Sequence, residues 1–563
     1  MNEALRRRLQ FVGALLAVLS GLIVYRLVAL QFYVDTAYFA ETALTEYRYR
    51  VTIRPPRGEI YDRHGVLLAT NSVEYEIGLS PVLILDREGT AQKLADATGL
   101  PYEELLAAMS APEPYVLLVR PAPAAMGQRV LALDLDGVVA TPLTRRYYPH
   151  GSLASHALGF VNLDNQGFYG IEGFYNDVLA GRVGVEDQSR IPFEASPGEA
   201  WRNGSDLYLT LDTEIQYLAE TTLRAALEEM GAVSGTILVM NPRTGEILAI
   251  ASLPDYDPNR YFSTDPNLFV DPAVSEQYEP GSTLKVMTMA IALENGVVVP
   301  DSTYEDAGVL EVGGVEIHNW DNQAHGVTTM TDLLGKSLNV GAATLSLRLG
   351  PTRFYAGLDA FGMGQLTGID LAGEGAGSVR RPGDANWFES DLATNAFGQG
   401  IAVTPLQLAV AFAAVANDGL LMQPHMVSQR VDADGTLTTF EPTVIGRAIS
   451  AETAEELRAM LANALEREAS AALLPGYRIA GKTGTAQIPI PGGYEPTATI
   501  GSFIGFGPLD DPQFLVLIKL DRPTSSEWGS QTAAPIFARL VSRLVVLLEI
   551  PPDGVRQAVA SDH

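Results

Sequence analysis

Cysteine is absent from the 563 residues, so the chain has no disulfide, no thiolate metal ligand and no thioester chemistry. That leaves the compartment open, because exported proteins need not contain disulfides. Histidine is scarce, seven in all. None stands at His-Glu-x-x-His or a similar ligand spacing, so no metal and no other cofactor is expected. Positive charge is short too: 38 Lys and Arg against 67 Asp and Glu give a formal net charge of −29. Such a chain carries no electrostatic footprint for nucleic acid, and its charge reads as a solvated surface. Internal repeats and low-complexity segments are missing. Long apolar runs are missing as well, apart from one at the N-terminus.

That run covers Phe11 to Phe32, interrupted by Gly13, Ser20, Gly21, Arg26 and Gln31. As a helix it spans about 33 Å, enough for a bilayer core of about 30 Å. Arg6, Arg7 and Arg8 precede it, which places residues 1–10 in the cytoplasm and the body of the chain outside. Arg26 is near enough to the outer end to snorkel. A cleaved signal peptide would have a shorter apolar core and a small-x-small site. Leu30-Gln-Phe-Tyr33 is no such site, so an uncleaved, single-pass anchor over 11–32 is expected.

Residues 33–205 are rich in Pro, Gly, Tyr and Arg, with short alternating strand-like runs. Their densest piece is Arg54-Pro-Pro-Arg-Gly-Glu-Ile-Tyr-Asp-Arg-His-Gly65, with Val66–Ala69 as a following strand. A second cluster contains Arg145, Arg146, Glu172 and Tyr175, the last two on one face of a short helix. Arginines in such settings more often fix loops by pairing with carboxylates than act on substrate, so a structural role is expected. Trp201–Ser205 is a polar break and a domain boundary.

Beyond it, Leu207–Leu211 reads as a strand. Asp212-Thr213 starts a helix to about Met230, with Gln216 completing a capping box if Thr213 is the N-cap. Gly235–Met240 and Glu246–Ile250 form a hairpin around Asn241-Pro-Arg-Thr-Gly245. The stretch 282–475 is mostly helical by pattern. Gly501–Phe506 and Phe514–Lys519 are strands, and Ala534–Leu548 is an amphipathic helix. This order describes an α+β layer fold.

Three short motifs carry the chemistry. In Ser282-Thr-Leu-Lys285 the serine and lysine share one face of a helical first turn. A serine hydroxyl becomes a nucleophile when a base takes its proton, and a lysine can be that base if burial or nearby cations lower its pKa. The N-terminus of the helix aims backbone N–H groups at developing negative charge. In Ser337-Leu-Asn339 the serine can relay a proton and the asparagine can hold a substrate amide by donor and acceptor. In Lys482-Thr-Gly-Thr485, Thr483 and Thr485 can donate to a carboxylate, Lys482 adds charge and Gly484 lets a ligand approach the backbone. A phosphate loop is excluded by the missing Gly-x-x-x-x-Gly-Lys spacing. Each motif alone is unspecific, and Ser-x-x-Lys by itself is usually a helix cap beside a solvated lysine.

Together the three are similar to the signature of penicillin-recognising serine enzymes. Arg57-Gly-Glu-Ile-Tyr-Asp-Arg63, Tyr278-Glu-Pro-Gly281, Phe397-Gly-Gln-Gly-Ile-Ala-Val-Thr-Pro405 and Ala486 narrow the resemblance to class B penicillin-binding proteins, over nearly the whole chain. The resemblance implies an antiparallel sheet with helices on both faces plus a helical subdomain. It implies a pedestal over 33–205, a transpeptidase domain over 206–549 and a tail over 550–563. It implies D,D-transpeptidation of peptidoglycan stem peptides on lipid-linked nascent glycan, with Ser282 as nucleophile, Lys285 as base, Ser337 and Lys482 as relay, and Thr483 and Thr485 on the terminal carboxylate. The backbone N–H groups of Ser282 and Thr485 would form the oxyanion hole, at about 3 kcal/mol per donor. β-Lactams would acylate Ser282.

By the same resemblance the partner is a SEDS-class glycosyltransferase, FtsW-like or RodA-like, with other division proteins of the membrane. Gly13 and Gly21 offer a small-residue face for such a contact, though small residues are ordinary in membrane helices. The late Ser502–Gly507 and Thr532–Phe537 pattern resembles the cell-division (FtsI-like) type more than the elongation type. No PASTA repeats and no preceding glycosyltransferase domain are expected. A β-lactamase or antibiotic sensor would lack the pedestal motif, and a non-catalytic scaffold should have lost a motif residue; none is lost.

Overall fold

The computed structural model describes residues 3–32, 48–53, 55–189 and 201–561. Tyr33 and Arg54, quoted above, lie outside these. The chain divides into two compact units. The first, Met1–Pro55 with Gly181–Asn203, holds the helix Glu3–Phe32 and an antiparallel strand pair, Arg48–Ile53 with Gly184–Ser189. Arg6–Ala29 is long and apolar enough to cross a membrane, and none of it is buried against protein. A helix suits that setting because it satisfies its own backbone groups.

The second unit, Pro56–Ala180 with Gly204–His563, is built on a five-stranded antiparallel sheet. Its strands are β1 (Ser234–Met240), β2 (Ile247–Leu253), β3 (Ala480–Ile490), β4 (Gly493–Gly507) and β5 (Phe514–Asp521), in the order β2-β1-β5-β4-β3. Side chains alternate between two cores, as a period of two requires. Ile237, Val239, Val516 and Ile518 pack with α1 (Thr213–Met230) and the C-terminal helix Ala533–Leu547. Leu238, Met240, Leu515 and Leu517 face the larger core, which holds the helical subdomain. Both faces are covered, which is why β1 and β2 read as continuous apolar runs. At the centre of the larger core lies α5, Pro405–Ala416, buried along its whole length and capped by Thr404 Oγ1 accepting from Gln407 N at 3.2 Å. The numbers α2 to α4 belong to Lys285–Glu294, Met330–Lys336 and Asn339–Ala360.

Two local expectations change. The N-cap of α1 is Asp212, whose carboxylate accepts from the N–H groups of Glu214 and Ile215 at 3.0 and 3.1 Å. Gln216 therefore sits one residue past the capping-box position. It turns inward instead and exchanges two hydrogen bonds with the Ile250 backbone, at 2.9 and 2.8 Å. The stretch 282–475 is also less helical than its pattern implied. Val309–Val312 and Val315–His318 form a hairpin closed by Gly313-Gly314, both at positive φ (57° and 79°) as a two-residue hairpin turn demands.

Residues 56–180 belong to this same unit. A seven-stranded sheet places Asp206–Leu209 between Ile60–Tyr61 and Val427–Val431. The arginine clusters do pair with a carboxylate: Arg57 and Arg146 each donate through Nε to Glu172 at 2.6 Å, with all three side chains buried. Tyr175 donates to Asp370 at 2.9 Å.

Candidate active site

Ser282 lies on a short 3₁₀ turn, Gly281–Leu284, that runs straight into α2. The regular helix thus begins at Lys285 rather than at Ser282. The turn is anchored by Gly281 N donating to the Gly398 carbonyl at 3.2 Å. Gly398 has φ of 82°, and a Cβ there would sit 2.2 Å from the Gly281 carbonyl oxygen, so only glycine fits. Gly398→Ala is expected to push the serine turn aside and slow acylation of Ser282 at least about tenfold, with a lowered unfolding midpoint. Stopped-flow acylation and denaturant titration measure the two effects.

Lys285 is 1% exposed. Its Nζ donates to Ser282 Oγ (3.0 Å), Ser337 O (2.5 Å), Ser337 Oγ (3.2 Å) and Asn339 Oδ1 (2.8 Å). Burial pushes its pKa well below the ordinary lysine value, and the neighbouring Lys482 cation adds to the effect. Ser337 follows the last turn of α3 in the left-handed region, φ 59°. Its Oγ stands between the two lysines, 3.0 Å from Lys482 Nζ. Asn339 opens α4. It accepts from Lys285, and its Nδ2 donates one proton to the His318 carbonyl at 3.0 Å; the amide also lines the cleft, with a second N–H to offer a substrate amide.

Lys482 comes from β3, the edge strand of the sheet, which leaves one row of backbone groups facing the site. Burial lowers its pKa to about 8. Thr483 and Thr485 alternate with it and line the cleft. Thr485 Oγ1 accepts from Gly529 N at 3.0 Å, which leaves the hydroxyl proton free for a ligand. Gly484 keeps β3 close to the serine turn: a Cβ there would lie 2.3 Å from Ser502 Oγ and 3.0 Å from Thr283 Cγ2. Ser282, Ser337, Asn339, Thr483 and Thr485 border a cleft of about 600 Å³ that also takes in Trp320, Gln399 and Trp528.

The arrangement holds one lysine ready to be neutral and another ready to stay charged, which separates a base from an electrostatic partner. The acylation rate is therefore expected to be bell-shaped in pH. Its acidic limb lies below the ordinary lysine range, where Lys285 must lose its proton, and its basic limb lies near pH 8, where Lys482 loses its own. The limbs belong to the coupled pair. A pH series of pre-steady-state acylation reads them directly.

The individual site residues were named by motif, but several neighbours were not. Glu279, just before the turn, is buried. It accepts from Gly400 N (2.9 Å) and the Tyr494 hydroxyl (3.3 Å), and burial raises its pKa. Its only sequence signal was the Tyr278-Glu-Pro-Gly281 run. Asn319, Trp320 and Gly529 carried none.

A serine hydrogen-bonded to a buried lysine beside the edge strand of an antiparallel sheet, with helices on both faces, defines the class of penicillin-recognising serine proteins. The chain belongs to the class B penicillin-binding proteins. Residues 235–542 match the penicillin binding protein transpeptidase domain and residues 52–191 the penicillin-binding protein dimerisation domain. Stage V sporulation protein D of Bacillus subtilis is 34% identical, covering 98% of this chain and 87% of its own. The peptidoglycan D,D-transpeptidase FtsI homolog of Mesostigma viride is 28% identical over 88% of each. The crystal structure of penicillin binding protein 3 from Mycobacterium tuberculosis, complexed with aztreonam, superposes with a TM-score of 0.70 at 30% identity, covering 89% of this chain and 98% of that one.

Proposed function

We propose that the protein is a membrane-anchored peptidoglycan D,D-transpeptidase and a target of penicillins. The observation that carries this is the Lys285 ammonium nitrogen held 3.0 Å from Ser282 Oγ and linked through Ser337 to Lys482, beside two threonines on an open strand edge. Thr483 and Thr485, with Lys482, hold the terminal D-alanine carboxylate, and Gly484 gives the backbone room. Neutral Lys285 takes the Ser282 proton as Oγ attacks the penultimate D-alanine carbonyl. The N–H groups of Ser282 and Thr485 stabilise the oxyanion. The proton passes through Ser337 to the departing D-alanine nitrogen, and the acyl-enzyme remains. An amine of a neighbouring stem then attacks the ester, Ser282 recovers its proton and the cross-link is formed. Asn339 keeps Lys285 aimed throughout.

In this reading residues 1–10 are cytoplasmic, 11–32 cross the membrane, 33–205 form the pedestal, 206–549 the transpeptidase domain and 550–563 a tail. The catalytic body faces outward, where the substrate is. A SEDS-class glycosyltransferase would meet the anchor and pedestal. The relative named as an FtsI homolog favours septal synthesis, so depletion from a rod-shaped cell gives filaments; rounded cells would mean elongation.

Incubation with a fluorescent penicillin tests the enzyme reading. A covalent adduct that peptide mapping assigns to Ser282 is expected. No adduct, or an adduct elsewhere, overturns it.

A further inference from the structure

The Ser337 turn is an improbable place for a catalytic hydroxyl. Its residue sits in left-handed backbone, at φ 59°, a region that a non-glycine residue adopts only at a cost. The helix that follows has Leu338 at its N-cap, a side chain that cannot cap. Yet Ser337 Oγ must stay within reach of two lysines, at 3.2 and 3.0 Å. Something outside the motif has to hold it.

Three consecutive residues of a distant loop do so, each by a different group. The Trp320 indole N–H donates to the Lys336 carbonyl at 2.9 Å, on the near side of Ser337. Asn319 Oδ1 accepts from Val340 N at 3.1 Å on the far side, and so supplies the cap that Leu338 lacks. The His318 carbonyl accepts from Asn339 Nδ2 at 3.0 Å. The loop is itself pinned. Asn319 is 2% exposed and donates to Asp306 Oδ1 (2.8 Å) and to the Gln323 carbonyl (3.1 Å). Asp306, also buried, further accepts from Gly308 N (2.9 Å) and the Tyr304 hydroxyl (2.6 Å). The Trp320 ring packs edge-on against Trp528 at 5.3 Å between centroids. Trp528 adjoins Gly529, whose N–H holds Thr485. A Cβ on Gly529 would lie 2.1 Å from the Gly484 carbonyl, so this loop is seated tightly on the strand that carries Lys482.

We infer that His318-Asn319-Trp320 is a positioning clamp that holds the Ser337 hydroxyl between Lys285 and Lys482. The inference rests on the acyl-transfer reading above. The clamp acts through Ser337, so its loss is read in the chemical step, separately from whatever the Trp320 ring, which lines the cleft, contributes to ligand binding. A misplacement on the order of 1 Å in such a relay can cost on the order of 100-fold in rate.

Trp320→Phe keeps an aromatic ring on the Trp528 side while removing the N–H together with the second ring of the indole. Trp320 is half-exposed, so the variant is expected to fold with an unchanged melting temperature. Stopped-flow acylation by a fluorescent penicillin separates the initial binding constant from the acylation rate constant. The clamp predicts an acylation rate constant about tenfold lower, from the loss of one hydrogen bond to a positioned carbonyl, over and above any change in the binding constant. Trp320→Leu, which loses the ring contact with Trp528 as well, should have a lower acylation rate constant still. An unchanged acylation rate constant in Trp320→Phe overturns the clamp, as does a loss confined to binding or matched by a fallen melting temperature. Wild-type protein that is never acylated overturns the acyl-transfer reading and the clamp with it, which keeps the two failures apart.

Discussion

Lys285→Met is expected to lower the Ser282 acylation rate by about 10²–10⁴-fold, the range that a positioned general base supplies, while leaving the protein at least as stable as the parent near neutral pH. The two halves of the expectation come from one fact. The amine is buried, and burial together with Lys482 depresses its pKa. A lysine that binds its proton less tightly in the folded state than in the unfolded state opposes folding at pH values below the unfolded pKa. In the window between the two pKa values the unfolded chain holds the extra proton, so stability rises with pH there. Methionine removes that penalty and fills much of the same volume. It also leaves Asn339 Oδ1 and the Ser337 carbonyl without their donor, which offsets part of the gain. Acylation rate and urea midpoint measured on the same preparation check both halves. A rate within tenfold of wild type would remove Lys285 from the role of base.

The chemistry was legible because it is written locally. Ser282 and Lys285 are one turn apart, and Thr483 and Thr485 alternate along a strand, so spacing alone brings each pair together. The α+β order was legible for the same reason: β1 and β2 are continuous apolar runs around a Pro-Arg-Thr-Gly turn, and α1 carries its own apolar stripe. What could not be read depends on partners far away in the chain. The amide of Asn339 looks like a substrate ligand in a tripeptide. In the fold, its two ends also meet Lys285 and a carbonyl 21 residues upstream. The clamp loop has no motif at all, since each of its three contacts has a main-chain group on one side: the Lys336 carbonyl, the Val340 N–H and the His318 carbonyl.

Gln216 makes the same point at smaller scale. The capping-box pattern depended on which of two adjacent residues began α1, and a one-residue shift to Asp212 released the glutamine for the Ile250 backbone. The Gly313-Gly314 hairpin was a readable signal that the helical pattern around it obscured. The left-handed Ser337 breaks local preference outright, which is common where function over-determines the backbone.

Glu172→Gln is expected to destabilise the larger unit by about 3–5 kcal/mol, the usual consequence of removing one member from a buried ion cluster. The carboxylate is fully buried and accepts from Arg57 Nε and Arg146 Nε, both at 2.6 Å. Burial alone would raise its pKa, but the Arg146 and Arg57 guanidinium groups outweigh it and hold the carboxyl below the usual glutamate range. A depressed folded pKa means that its stabilising effect is present above the unfolded pKa and is lost as pH falls through the folded one. Glutamine keeps the shape and cancels the charge, so two guanidinium groups stay buried with nothing to balance them. The damage should spread, because the two arginines also hold backbone. Arg57 donates to the Asn165 and Glu172 carbonyls, and Arg146 to the Gly58 carbonyl. Replacing all three charged residues by apolar ones should recover only part of the loss, since those carbonyls would then go unpaired. The midpoint of urea unfolding, compared at neutral pH and near pH 4, checks the sign: the gap between wild type and variant should narrow below the ordinary glutamate pKa, where Glu172 of the unfolded wild-type chain takes up its proton while the folded one still resists it. A gap that stays constant with pH would mean the cluster is held by packing, with charge contributing little.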